Sequence, residues 1–311
     1  MQAVELEGVS KSFGTHRAVD GLTLAVPSGT IYGFIGPNGS GKTTTLRMIM
    51  RILLPDDGHI RVLGTGSSQA ANDQIGYLPE ERGLYKKMQV REMLRFYAEL
   101  KNVDQRNCRA EIDGWLERMQ LTEWANKKVE ALSKGMAQKV QFIGTVIAKP
   151  KLVILDEPFS GLDPVNAEVL KDAVLGLKRD GATVIFSTHD MDVAEKMCDF
   201  LFMIFKGKKV LDGTLEEIQG QYGTDILRVR LESNGDGTES MLDLSDIAGV
   251  ERVNNFGRFQ ELRVRRGTDS QAVLAALTAR GRVRHFEVAS PSLQDIFIRI
   301  AGADAMEATH A

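Results

Sequence analysis

The 311-residue sequence has few cysteines, no long apolar run and no excess of basic residues. Its two cysteines, Cys108 and Cys198, lie far apart and lack the spacing of a metal site. This favours inert thiols in a reducing compartment over a disulfide framework. The formal net charge of -3 gives no electrostatic footprint for nucleic acid, so we expect no nucleic-acid partner.

The apolar segments are too short to cross a membrane, since a spanning helix needs roughly 18–20 such residues. The most apolar candidate, residues 200–205, has the length of a strand and ends at a Lys-Gly-Lys turn. The first residues carry acids among the apolar positions, which argues against a signal peptide. We therefore expect a cytoplasmic chain that does not cross a membrane by itself.

The strongest local signal is a glycine-rich segment with the spacing G-x-x-x-x-G-K-[ST]. It is Gly36-Pro37-Asn38-Gly39-Ser40-Gly41-Lys42-Thr43. An apolar run at 30–35 predicts a buried strand before it, and residues 44–50 predict a helix after it. This order is the context that a phosphate-binding P-loop requires. A glycine-rich turn with a chance lysine is the alternative, and eight positions in register disfavour it.

The chemistry of this loop suits a nucleoside triphosphate. Glycines let successive backbone N–H groups turn inward around an anion, and the following helix directs its positive dipole end at the same phosphates. Lys42 is placed to reach the β- and γ-phosphates, and the Thr43 hydroxyl to ligate Mg²⁺. The loop therefore predicts a bound nucleotide with its magnesium ion.

A second motif places two acids at the end of an apolar strand. The strand covers 152–155, and Asp156 and Glu157 follow directly. Asp156 would support Mg²⁺, and Glu157 would polarise the water that attacks the γ-phosphate. General-base assistance of this kind contributes about 10²–10⁴-fold in rate. A strand that merely ends in acids is the alternative, which the P-loop upstream disfavours.

The remaining pattern predicts an α/β core divided by a helical insert. Short strands are expected at 4–6, 22–26 and 59–63, and helical spacing runs from 90 to 147. Continuous apolar runs at 152–155 and 183–186 are typical of parallel strands. A proline-initiated helix at 165–178 separates them.

A second unit is expected from about Gly220. No lysine follows Lys209, and the pattern predicts a small α+β domain with the order strand, strand, helix, strand, helix. These elements fall at 226–231, 260–264, 271–278, 283–288 and 293–300. The last residues, 303–311, are expected to be a frayed tail.

Three further motifs identify the family. Leu132-Ser133-Lys134-Gly135-Met136 precedes a helix, Ser160-Gly161-Leu162-Asp163-Pro164 follows the acid pair, and Phe186-Ser187-Thr188-His189-Asp190 ends the next strand. With the P-loop and the acids in the same order, residues 3–220 resemble the nucleotide-binding subunits of ABC transporters. The resemblance implies a P-loop NTPase cassette over 1–220, with a mostly parallel sheet, an antiparallel β subdomain and a helical subdomain at about 86–150. A small α+β accessory domain would cover 221–302.

The resemblance also assigns roles to individual residues. ATP binding falls to Phe13, which would stack on adenine, and to Gly36, Pro37, Asn38, Gly39, Ser40, Gly41, Lys42, Thr43 and Thr44. The expected catalytic residues are Lys42, Glu80, Glu157 and the switch histidine His189. The expected Mg²⁺ ligands are Thr43, Glu80 and Asp156. Asp163 would communicate across a dimer, and Ser133, Lys134 and Gly135 would close over ATP held by a second copy. The alternative for Phe13 is that it packs in the core, and the alternative for His189 is that its role is structural.

Three positions depart from the common family pattern. Glu80 stands where most members have glutamine, Lys134 replaces a glycine, and Met136 replaces a glutamine. Lys134 either approaches the opposite phosphates or is a solvated surface charge. The segment 78–85 and the ending Ser292-Leu293-Gln294-Asp295-Ile296-Phe297 are similar to an exporter subgroup that includes sodium-efflux-type ATPases. For the residues of that ending, an ordinary amphipathic helix is the simpler interpretation.

The resemblance implies a Mg²⁺-dependent ATPase subunit of an ABC exporter, peripheral on the inner face of the cell membrane. Two copies would sandwich two ATP molecules and dock on a separate membrane permease. The segment from Arg82 to Tyr85 and the helical insert would form the docking surface. One alternative is a soluble ABC-type ATPase acting on ribosomes or DNA, which a single cassette without sustained heptads disfavours. Another is a regulatory module that binds ATP without hydrolysing it, which Glu157 and His189 disfavour.

Overall fold

A computed structural model describes residues 1–64, 74–81, 83–222, 226–232, 242–257, 259–265 and 267–302. Contacts between Cα atoms divide the chain into two compact units, one from Met1 to Thr214 and one that begins at Leu215. The expected tail at 303–311 lies outside the described residues. Among the described residues, no helix combines the length and the apolar character needed to span a bilayer.

The first unit alternates strands and helices. Its strands are β1 (Gln2–Phe13), β2 (His16–Pro27), β3 (Ile31–Ile35), β4 (Asp57–Val62), β5 (Ile75–Leu78), β6 (Leu152–Asp156), β7 (Thr183–Thr188), β8 (Phe200–Phe205) and β9 (Lys208–Gly213). Its helices are α1 (Lys42–Ile49), α2 (Val90–Leu100), α3 (Gln105–Arg118), α4 (Lys134–Val146), α5 (Pro164–Arg179) and α6 (Met191–Met197). Single 3₁₀ turns lie at Thr122–Trp124 and Val129–Ala131.

The central sheet has the strand order β5-β6-β7-β3-β8-β9. Strands β5, β6, β7, β3 and β8 are parallel to one another, and β9 runs antiparallel to β8. Every residue of β3, β6 and β7 is buried, as expected for parallel strands covered on both faces. A separate antiparallel sheet has the order β2-β1-β4. The predicted fold class, a mostly parallel sheet with an antiparallel subdomain and a helical insert, is confirmed.

Strands β1 and β2 extend well beyond the predicted segments at 4–6 and 22–26. In β2, buried Leu22, Leu24 and Val26 alternate with exposed neighbours, which is the pattern of a strand with one covered face. The two strands continue until Phe13 pairs with His16 at the hairpin end. This extension carries Phe13 to the rim of the cleft described below.

Two apolar clusters cover the two faces of the central sheet. One packs Phe34 and Ile154 of the sheet against α1 and the antiparallel sheet. The other packs Val153 and Phe186 against the helical insert and α5. Helix α2 contributes Met93, whose burial follows the predicted helical spacing. The insert therefore shares a core with the sheet that carries the acid pair.

The second unit is a small α+β domain built on an antiparallel sheet of order β11-β12-β10-β13. Its elements are α7 (Leu215–Tyr222), β10 (Ile226–Glu232), β11 (Val250–Asn255), β12 (Gln260–Val264), α8 (Ser270–Arg280), β13 (Arg282–Ala289) and α9 (Leu293–Ala301). Strand β11 was not predicted, because its largely polar sequence gives no strand signal. The core packs Leu227, Leu262 and Leu277 together.

Helix α9 begins with the motif noted in the sequence. Ser292 and Asp295 form a capping box, in which each side chain accepts a hydrogen bond from the other residue's backbone N–H. Leu293, Ile296 and Phe297 are buried. The helix contacts α7. The motif therefore starts and anchors an amphipathic helix.

Candidate nucleotide site

The glycine-rich loop joins the end of β3 to the start of α1, as its spacing predicted. Gly41 has φ 112° and precedes Lys42, the first residue of α1. A Cβ on Gly41 would lie 2.5 Å from the Ala18 carbonyl oxygen, and one on Gly36 would overlap that of Ile204. Both positions therefore need glycine, because the loop passes close to neighbouring backbone and Gly41 lies in a conformation that other residues rarely adopt.

Lys42 lies inside the loop rather than in solvent. Its buried Nζ donates to the carbonyl oxygens of Gly36 at 2.7 Å and Pro37 at 3.1 Å. It also lies 3.7 Å from Glu157 Oε1. Burial lowers the pKa of Lys42, and the nearby charges of Glu157, Asp156 and Glu80 oppose that shift. The ammonium group is thus held between the loop and the acids.

Asp156 at the end of β6 has one carboxylate oxygen engaged and one not. Oδ1 accepts hydrogen bonds from Ser187 Oγ at 2.6 Å and Thr43 Oγ1 at 3.2 Å. Oδ2 is buried and has no hydrogen-bond partner among the described residues. A buried carboxylate oxygen without a donor is costly unless a ligand engages it.

These oxygens fit a magnesium ion. Mg²⁺ prefers oxygen ligands and is usually held by one or two carboxylates together with substrate phosphates. Thr43 and Asp156 supply a hydroxyl and a carboxylate side by side. No group of three or more histidines, cysteines or acids in the described residues forms a complete metal site. Phosphate oxygens and water would therefore have to complete the coordination.

Glu157, the residue after Asp156, has an unusual backbone conformation. Its φ is 49°, which is unusual for a residue other than glycine. The side chain is only 8% exposed, and Oε2 lies 3.1 Å from His189 Nδ1. Burial raises the pKa of Glu157, while the hydrogen bond from His189 and the charge of Lys42 oppose the shift. A buried carboxylate with a raised pKa beside a cleft is typical of a general base.

His189 follows the end of β7, and its side chain is 52% exposed. The alternative of a structural core histidine is therefore not supported by its burial. Phe13 is also 49% exposed, so it is not a core residue either. Lys11 Nζ lies over the Phe13 ring, 5.9 Å from the ring centroid. Both side chains are accessible to a ligand.

A cleft of about 420 Å³ brings nine of the eighteen predicted site residues together. It is lined by Phe13, His16, Ala18, Asn38, Gly39, Gly41, Lys42, Thr43, Thr44, Glu80 and Glu157. His16 and Ala18 were missed by sequence reasoning. No sequence signal pointed to them; His16 lies beside Phe13 because the two residues pair at the hairpin end. Glu80 is exposed and reaches this cleft from the loop after β5.

The residues of the predicted signature and Asp163 lie elsewhere on the same chain. None of them belongs to the described lining of the cleft. Ser133 caps α4 by accepting a hydrogen bond from Met136 N at 3.2 Å, and Asp163 caps α5 in the same way. Within one chain Ser133 and Asp163 therefore have structural roles as helix caps.

Lys134 is exposed but its side chain is not simply extended into solvent. It lies over Gly161, where a Cβ would come within 2.5 Å of Lys134 Nζ. Gly135 is buried, and a Cβ there would lie 3.1 Å from Asn166 Nδ2. Lys134 and Gly135 therefore lie beside the segment 160–166 that follows the acid pair.

Comparisons with known proteins cover both units. A profile of the family described as ABC transporter matches residues 19–160. A second profile, described as ATP-binding protein DrrA1-3-like, C-terminal domain, matches residues 213–301. The family resemblance inferred from the motifs, together with its small C-terminal domain, is confirmed.

Individual proteins match along most of the chain. It is 44% identical to the uncharacterized ABC transporter ATP-binding protein YhaQ of Bacillus subtilis (strain 168), with 96% of this chain and 98% of that protein covered. It is 32% identical to the Nod factor export ATP-binding protein I of Paraburkholderia xenovorans (strain LB400), with coverage of 97% and 98%. A solved structure of an ATP binding subunit of an ABC transporter matches with a TM-score of 0.67 and 29% identity, over 71% of this chain and 93% of that one.

Proposed function

This chain belongs to the family of ABC transporter ATP-binding proteins, and from that premise we propose that it is the ATP-hydrolysing subunit of an ABC exporter. The observation that carries the proposal is the convergence of Lys42, Glu157 and His189 beside the cleft. Export is supported by the relative named for Nod factor export, which matches along 97% of this chain.

In the proposed reaction, ATP lies in the cleft with adenine on the Phe13 ring and its phosphates on the loop from Gly36 to Thr44. Lys42 exchanges its contacts with the Gly36 and Pro37 carbonyls for phosphate oxygens. Glu157 accepts a proton from the attacking water, and His189 contacts the γ-phosphate. A Mg²⁺ ion held by Thr43 and Asp156, with Glu80 nearby, would neutralise charge on the phosphates.

The cleft is completed by a second copy of the chain in this proposal. Ser133 and Lys134 are exposed at the N-terminus of α4, where backbone N–H groups and the helix dipole favour an anion. The γ-phosphate bound to one copy would lie against this end of α4 from the other. Asp163, at the start of α5, would contact the opposite copy in the closed dimer.

A second groove supports docking of a separate membrane permease. It has a volume of about 440 Å³ and is lined by residues that include Tyr77, Pro79 and Tyr97. Tyr85 is 53% exposed and packs edge-on against Phe96 of α2. The proposed docking surface is Gly83 to Tyr85 with the start of the helical insert. Arg82, which was also predicted there, lies outside the described residues.

Affinity purification from detergent-solubilised membranes tests the proposal. The full chain should retain a polytopic permease, and Tyr85→Glu should lose it while Leu175→Glu, at a surface position of α5, retains it. Recovery of ribosomes or DNA without a permease would favour the soluble ATPase. ATP binding without turnover in the purified complex would favour the regulatory module.

A further inference from the structure

Ser187 lies between the two acids of the site and bonds to both. It is the residue before Thr188 at the end of β7, and its side chain is fully buried. Its Oγ donates a hydrogen bond to Asp156 Oδ1 at 2.6 Å. The same oxygen accepts one from the backbone N–H of Glu157 at 2.9 Å. A hydroxyl has one donor and two acceptor sites, so both bonds form together.

The strand pairing fixes this arrangement. Strands β6 and β7 are parallel neighbours, and Asp156 is in register with Ser187. Residues in register on neighbouring strands present their side chains to the same face of a sheet. The hydroxyl is therefore held beside the carboxylate by the backbone of two fully buried strands, and it has little freedom to move away.

The first consequence concerns the orientation of the Asp156 carboxylate. Oδ1 has two hydroxyl donors, Ser187 and Thr43, whereas the buried Oδ2 has none among the described residues. Two donors on one oxygen oppose rotation of the carboxylate about its Cβ–Cγ bond. Ser187 therefore holds Oδ2 as the oxygen that is available to a cation.

The second consequence concerns the backbone of Glu157. Its φ of 49° lies in the left-handed region, which non-glycine residues occupy only when the surroundings stabilise it. The hydrogen bond from its N–H to Ser187 Oγ supplies such a contact. In this conformation the side chain reaches His189 and Lys42.

We infer that Ser187 is a positioning residue for ATP hydrolysis, which acts by holding Asp156 and Glu157 in their separate orientations. The inference rests on the proposed function, because it presumes that these acids serve a bound Mg²⁺–ATP. The hydroxyl is fully buried and is not part of the described lining of the cleft, so it acts through the two acids. Its removal should therefore impair turnover and the response to magnesium more than the affinity for ATP.

The test compares Ser187→Ala with Thr183→Val in the full chain. Thr183 lies at the other end of β7, is also buried, and accepts a hydrogen bond from Gly29 N at 2.9 Å. Both changes remove one buried hydroxyl from the same strand. We expect kcat to fall about 10–100-fold in S187A, as for the loss of a hydrogen bond to a charged group. KM for ATP should change less than about threefold, and T183V should keep the wild-type kcat.

A second readout does not depend on turnover. Tm is measured with ATP and EDTA and again with ATP and Mg²⁺. The difference between these two Tm values should be smaller in S187A than in the wild type, and it should be unchanged in T183V. Ser187→Cys keeps a similar volume but donates weakly, so it should show the same loss if S187A folds poorly. An unchanged kcat and magnesium response in S187A would overturn the inference, as would equal losses in T183V. A wild-type chain without ATPase activity overturns the proposed function, whereas a magnesium response lost only in the Ser187 variants still supports the role in orienting Asp156.

Discussion

His189 Nδ1 lies 3.1 Å from Glu157 Oε2, and this contact joins a half-exposed imidazole to a carboxylate that is only 8% exposed. The histidine follows β7 and the acid follows β6, which are parallel neighbours in the sheet. An exposed group that contacts the buried acid is well placed to link the γ-phosphate to the base. The same contact also counteracts the effect of burial on the pKa of Glu157.

Replacing His189 with alanine should move the acid limb of the pH profile to higher pH. Glu157 acts as a base only when ionised, and burial already raises its pKa above that of an ordinary glutamate. His189 lowers that pKa, so its removal raises the value further, and activity is lost at a higher pH as the solution is acidified. The residual kcat/KM of H189A should be measured against pH, with His59→Ala, at an exposed position of β4, as control. A limb that stays in place or moves to lower pH would argue against this coupling.

Replacing Gly41 with alanine should destabilise the loop more than the same change at Gly29. Both glycines have positive φ, but a Cβ at Gly29 meets no atom within 4 Å, whereas one at Gly41 would lie 2.5 Å from the Ala18 carbonyl oxygen. We expect about 1 kcal/mol for G29A from backbone strain alone. G41A should cost about 2–3 kcal/mol more, because the clash forces a backbone shift. Urea unfolding of both variants measures the difference, and equal losses would contradict the structure around Gly41.

Replacing Phe13 with alanine should weaken nucleotide binding without weakening the fold. The ring is half-exposed at the end of β1, so the free energy of unfolding should change by less than about 0.5 kcal/mol. Loss of stacking on adenine is worth about 1–3 kcal/mol, or roughly 5–150-fold in Kd. Equilibrium titration with a fluorescent ATP analogue checks the affinity, and Phe13→Trp should retain it. Equal affinities of F13A and the wild type for the analogue would show that Phe13 does not stack on the nucleotide.

Two substitutions at Ser133 separate its structural role from its proposed one. Aspartate and asparagine both cap helices about as well as serine, so S133D and S133N should keep the contact that Ser133 makes with Met136 N. Aspartate also places a negative charge against the phosphates of the opposite copy. We expect both variants to unfold like the wild type, but only S133N to dimerise with ATP. An S133D dimer of wild-type affinity would place this end of α4 away from the phosphates.

The sequence was most informative where one short segment carries the chemistry. The P-loop spacing predicted a strand, a loop and a helix in this order, although α1 begins at Lys42 rather than at Thr44 as predicted. The apolar run before Asp156 placed that acid at a strand end. These features are local, because strand, loop and helix are consecutive. The parallel character of the sheet also followed from continuous apolar runs, and the structure confirms it.

Contacts between distant segments were not predictable in the same way. The bond between Ser187 and Asp156 depends on the register of two strands that are separated by α5, and sequence pattern does not specify register. The sequence did not decide whether Lys134 contacts a phosphate or is a solvated surface charge. Its position over Gly161 depends on how α4 packs beside the segment after β6. Strand β11 was missed because its residues are mostly polar and partly exposed.

The mass of the Glu157→Gln variant in solution is the most direct test of the claim that two copies enclose ATP. The substitution keeps the shape of the side chain but removes the proposed base, so turnover should fall about 10²–10⁴-fold while ATP binding survives. Analytical ultracentrifugation should then find a monomer without nucleotide and a dimer with Mg²⁺ and ATP. A variant that binds ATP and remains a monomer at saturating nucleotide would contradict the account.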